Sequence, residues 1–124
     1  MLLDIAHKKL PVYKASAAFV KECFLILDSI GNEDRRDLCR QIRRAAVSIQ
    51  LNIAEGCSKR TTAERRRYFE IARGSLVEVD AGIDILLTLN HLDEGIIEKL
   101  RNLANTCFQQ LSNLINALNK EINS

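Results

Sequence analysis

Apolar residues recur along this chain at the three- and four-residue spacing of a helix, not at the alternation of a strand. The clearest run is Ile97, Leu100, Ala104, Cys107, Leu111, Leu114 and Leu118. Its steps alternate strictly between three and four, the a/d seam of left-handed helix packing. Phe69, Ala72, Leu76, Val79, Ile83 and Leu86 repeat it upstream. Val12, Ala15, Phe19, Cys23 and Ile26 mark a third stripe, and Leu38, Ile42, Ala45, Ile49 and Ile53 a fourth. Breakers and caps fall between the stripes. Pro11 suits a first helical turn, where its missing N–H costs nothing. Gly31-Asn32 closes the first helix. Thr61-Thr62-Ala63-Glu64 reads as a capping box, the Thr61 hydroxyl taking a free amide while Glu64 reaches back. Asn90-His91-Leu92-Asp93 reads as a short turn. The pattern predicts helices at about 11–29, 33–56, 62–89 and 94–122, with Gly56 ending the second or tolerated inside it. Short turns between long helices make sequential neighbours antiparallel. The expected fold is therefore all-α: one up-down-up-down antiparallel four-helix bundle domain spanning 1–124.

Composition supports this picture. One Pro, no Trp and 5% aromatic residues against 47% apolar leave few strand formers and few breakers. The longest uncharged runs are too short to span a membrane, and Asp4 interrupts the apolar start in a way a signal peptide does not. A cytoplasmic chain with no membrane partner is expected. The four cysteines, at 23, 39, 57 and 107, form no CxxC pair and fall on apolar helical positions. They read as small buried hydrophobes.

The second helix carries more than a core stripe. Gln41, Arg44, Ser48, Asn52 and Glu55 form a polar stripe beside it, and Val47, Leu51 and Ala54 a second apolar patch on the far side. A helix in a monomeric bundle needs one apolar stripe. The extra patch points to contact with another copy, with the polar stripe fixing register at the boundary. The third helix has a matching irregularity in ARGSLVEVDAG. Gly74 inside a helix costs about 1 kcal/mol relative to Ala, and close helix approach is the usual compensation. Ser75 and Glu78 share nearly the same side. Arg44 or Arg73 is expected to pair with Glu55 or Glu78 where the second and third helices cross.

These residues carry a resemblance. QIRRAAVSIQLNIAEGCSKR followed by FEIARGSLVEVDAGIDI resembles the signature of the four-helix-bundle family encoded in intervening sequences of bacterial 23S ribosomal RNA genes. The motif positions are Gln41, Arg44, Ala45, Ala46, Ser48, Ile49, Asn52, Ile53, Ala54, Glu55 and Gly56, then Phe69, Ala72, Gly74, Ser75, Leu76 and Glu78. The resemblance covers nearly the whole chain and implies a homopentamer of four-helix bundles without established catalysis. More distantly, the chain is similar to the retroelement accessory variability determinant, a pentamer that binds nucleic acid and a reverse transcriptase.

No catalytic set stands out. His7 and His91 lack ligand-spaced partners, Glu-x-x-His pairs are absent, and no phosphate loop or GxSxG occurs. No enzyme activity, metal or cofactor is expected. A weaker alternative is a site between subunits around Asn52, Glu55 and Glu78. Charge is more informative than its net value of +2. From Arg35 to Arg73 there are 11 basic and 4 acidic side chains, against 7 and 12 in the remainder. Arg36, Arg40 and Arg43 share a flank of the second helix. Lys59, Arg60, Arg65, Arg66 and Arg67 gather at the turn that follows. Clustered guanidinium groups suit phosphate as charges and as forked donors. They mark a candidate site for RNA or DNA backbone. The alternatives are a solvated face paired with Asp34, Asp37, Glu64 and Glu70, or a protein-binding adaptor surface.

Overall fold

A computed structural model describes residues 2–30 and 35–124. A short 3₁₀ turn, Ala6–Lys9, leads into four long helices: α1 (Pro11–Asp28), α2 (Arg36–Ser58), α3 (Thr62–Thr88) and α4 (Glu98–Asn123). No strand occurs among the described residues. Pro11 opens α1 at the position where a proline forfeits no hydrogen bond. Gly31-Asn32 and the expected start of the second helix at Glu33 lie outside the described residues.

The apolar stripes meet in one core. Phe19, Cys23, Ile49, Ile53, Ala72, Val79, Leu86, Cys107 and Leu111 are almost wholly removed from water. α1 packs against α2 and α4, and α3 packs against the same two, with no backbone contact across either diagonal among the described residues. Residue numbers rise along α2 as they fall along α3. Ile42 faces Gly82, Ser48 faces Ser75, and Gly56 faces Phe69. Arg73 on α3 donates to Ser112 on α4 and Arg66 to Asn119, which is the same inverse order.

Several ends differ from the pattern-based expectation. Gly56 does not stop α2, which runs on to Ser58. The glycine is buried against the Phe69 ring and leaves room for it. A Cβ there would stand 2.8 Å from Phe69 Cε1. α4 begins at Glu98, not at about 94. Residues 94–97 form a turn around Gly95, in which the Ile96 amide is taken by the Asp93 backbone and carboxylate. Leu92 and Ile97 plug the core on either side of that turn. α3 ends in a Schellman motif. Asn90 takes the left-handed conformation at φ 62°, and the amides of His91 and Asn90 return to the carbonyls of Leu86 and Leu87. The Thr61 cap forms, with the Glu64 amide donating to the Thr61 hydroxyl at 3.1 Å. Glu64 reaches back to that hydroxyl, not to the Thr61 amide.

Candidate nucleic-acid interface

The turn from α2 to α3 is only three residues long, from Lys59 to Thr61. It throws the basic residues on both sides of it into one region. Lys59 leaves the helix with extended backbone, and Arg65 Nε donates to its carbonyl at 2.8 Å. That bond holds the arginine over the turn without neutralising it. Lys59 itself lies 3.6 Å from Glu55 and 5.1 Å from the centre of the Tyr68 ring. Arg66 is compensated as well, by Glu70 at 3.3 Å and by Asn119 of α4 at 3.1 Å. Arg60 and Arg67 are exposed and have no carboxylate partner among the described residues.

The α2 flank is a different environment. Arg43 pairs with Asp28 of α1 at 2.7 Å and lies over Phe24, half-buried. Arg40 is loosely paired with Asp37 at 3.9 Å. Arg36 is exposed at the start of the helix and has interactions of its own. More than four turns of helix, about 24 Å, separate Arg43 from the turn cluster. The eight basic positions read together in the sequence therefore form two groups with different partners.

The polar stripe of α2 opens on a groove between α2 and α3 of about 560 Å³, lined by Arg40, Gln41, Arg44, Ser48, Ser75 and Glu78 among others. At its floor the Ser48 and Ser75 hydroxyls meet at 2.9 Å, and the Asn52 amide donates to the Ser48 hydroxyl and carbonyl. This small network satisfies three polar side chains at the helix crossing. The expected pairing of Arg44 or Arg73 with Glu55 or Glu78 does not form. Glu55 pairs with Lys59 one turn on, while Arg73 crosses to Ser112 and Phe108 of α4. Arg44 and Glu78 border the same groove without an ion pair among the described residues. Beside it Val47 and Leu51 stand 38% and 60% exposed.

Gly74 is not the glycine at the crossing. It is exposed, and a Cβ there would meet nothing within 4 Å. The close-approach glycines are Gly56 and Gly82, the latter with Ile42 Cγ1 only 2.5 Å from where a Cβ would lie. A helical wheel would have located Gly82, three residues after Val79 and four before Leu86 on the core side. A second missed contact joins Arg35 Nε to His91 Nε2 at 2.8 Å, which uses the imidazole as an acceptor. No cluster of three metal-ligating side chains occurs among the described residues.

Residues 8–116 match the model of a family described as 23S rRNA-intervening sequence protein. The fold is similar to the crystal structure of a protein of unknown function from the S23 ribosomal protein family of Bacteroides thetaiotaomicron. The TM-score is 0.77 at 21% identity, over 84% of this chain and 97% of that one. No curated protein matches.

Proposed function

Because the chain belongs to the 23S rRNA-intervening sequence protein family, we propose that it is a non-enzymatic, cytoplasmic, oligomeric four-helix bundle that binds the backbone of RNA or DNA. The single observation that supports this binding is the state of the arginines at the α2–α3 turn. Arg60 and Arg67 are exposed with no carboxylate partner among the described residues, and Arg65 spends one donor on a carbonyl that leaves its charge intact. Such a cluster repels itself, and a polyanion relieves that repulsion while releasing its counterions. No stacking platform interrupts the cluster, so recognition is of backbone, not of base sequence.

The inverse residue order of α2 against α3 and of α3 against α4 supports an up-down-up-down topology. Self-association is supported by a different face. Val47 and Leu51 are exposed beside a groove in which Arg44 and Glu78 make no ion pair among the described residues. Both charges are present on every copy, so a second copy can satisfy them reciprocally. A cyclic homo-oligomer, a pentamer by the resemblance noted above, would multiply the turn cluster into a ring of positive charge.

The test is a fluorescence titration of the purified protein with structured RNA and with duplex DNA at several salt concentrations. Each duplex phosphate neutralised adds about 0.9 to the log–log salt slope. The expected result is a slope worth several phosphates, reduced when Arg60, Arg65 and Arg67 are all changed to Gln. Absence of binding at low salt overturns the reading and turns the search to a protein partner.

A further inference from the structure

The turn cluster shares its end of the molecule with the start of α1 and the end of α4. Thr62 at the head of α3 donates to Glu121 at 3.2 Å, and Arg66 reaches Asn119. Leu10, Pro11 and Val12 border a cleft with Leu114 and Ala117, so the beginning of α1 lies beside the same stretch of α4. The 3₁₀ turn at Ala6–Lys9 packs on both α1 and α2. This convergence brings Lys8, Lys9 and Lys14 to the end that carries Arg60, Arg65 and Arg67. None of the three lysines has a carboxylate partner among the described residues. Lys8 donates to the Leu3 carbonyl at 2.6 Å, which holds the side chain and leaves the charge.

The opposite end has the reverse character. Arg43 is met by Asp28, Arg40 by Asp37, Lys99 by Glu22, and Arg101 by both Glu94 and Glu98. Each exposed pair contributes little to stability, yet each cancels a charge that a distant phosphate would otherwise feel. Lys8, Lys9, Lys14, Arg60, Arg65 and Arg67, none with a carboxylate partner among the described residues, thus gather at one end of the four-helix body from two segments far apart in sequence.

We infer that this end is a composite phosphate-binding face, in which Lys8, Lys9 and Lys14 of the N-terminal segment act with Arg60, Arg65 and Arg67, and that the α2 flank is not part of it. The inference rests on the nucleic-acid reading above and adds residues and a location to it. The ligand is the phosphodiester backbone of RNA or DNA, taken without regard to sequence.

The experiment compares the full chain with two variants, Lys9→Gln/Lys14→Gln and Arg40→Gln/Arg43→Gln. Each is titrated with a labelled RNA, a duplex DNA and vesicles of anionic lipid across a salt series. Lys8 is left in place because its side chain tethers the N-terminal segment, and circular dichroism checks that helicity is retained. The expected result is that the lysine variant binds nucleic acid several-fold more weakly, with a duplex salt slope lower by about 2. The α2-flank variant keeps the slope of the parent chain. Equal binding by the lysine variant and the parent chain overturns the inference while leaving the nucleic-acid reading standing. So does a larger loss in the α2-flank variant. If the parent chain binds neither RNA nor DNA, both fall together. Binding to the vesicles alone overturns both as well, and assigns the exposed Leu2, Leu3 and Ile5 beside these lysines to a membrane surface.

Discussion

Three glycines in helices show how one residue type serves different needs. At Gly82 an added methyl would collide with Ile42 inside the core, and at Gly56 with the Phe69 ring. Gly82→Ala is expected to destabilise the fold by about 1–3 kcal/mol, the usual cost of overpacking, read from the midpoint of urea unfolding. Gly74 has open space around it. Gly74→Ala should stabilise the chain by about 1 kcal/mol through helix propensity, read from the midpoint of urea unfolding. The buried thiols make a second statement at this scale. Burial pushes Cys23 up to about 12 and Cys107 up to about 11, from an ordinary value near 9. The folded chain holds protons there that the unfolded chain releases above pH 9. Their contribution is therefore complete below pH 9 and is lost as pH climbs from 9 toward the folded values. Stability should fall by about 1.4 kcal/mol per pH unit per thiol in that window. Cys23→Val should flatten the decline in a series of urea melts.

Helix ends and crossings were unevenly legible in the sequence. The Thr61 cap was readable because its chemistry is local: a hydroxyl, three residues and a glutamate. Thr61→Ala should cost about 1 kcal/mol in thermal or urea unfolding. The start of α4 was not readable in the same way. Glu94 looks like a first-turn residue, but Gly95 and the Asp93 side chain hold a separate turn that seats Leu92 and Ile97 in the core. That choice depends on the space beneath the turn. The polar stripe of α2 was visible as a stripe, yet the sequence did not say how it was satisfied. Ser48 and Asn52 close on Ser75 of the facing helix, while Glu55 turns away to Lys59.

The whole molecule has two faces with different prospects. One is the groove side of α2 and α3, with exposed Val47 and Leu51 and with Arg44 and Glu78, which make no ion pair among the described residues. A charge at its apolar centre would be buried on assembly without a partner. On the self-association proposed for this face, Leu51→Asp should shift light scattering to smaller species while the helical melt changes little, since the side chain is exposed in the single chain. The other face is the basic end, where Lys8, Lys9 and Lys14 and Arg60, Arg65 and Arg67 have no carboxylate partner among the described residues, while Lys59 and Arg66 are met by Glu55 and Glu70. No helix among the described residues is long and apolar enough to cross a membrane.

Hydropathy period by itself determined the four helices and their inward stripes. Side-chain direction on a helix repeats with a fixed angle, and burial of apolar area is the dominant drive. Nearly every expected stripe residue lies in or against the core, from Val12 on α1 to Leu118 on α4. Tertiary structure decided what depends on distance between segments remote in sequence. It chose Gly56 and Gly82 over Gly74 for close approach, gave Arg43 to Asp28 and Arg73 to Ser112, and brought Lys9 and Lys14 to the end that carries Arg60 and Arg67. A periodic pattern fixes which way a side chain points along its own helix. Which charge it meets there is set by the neighbouring helix and its register.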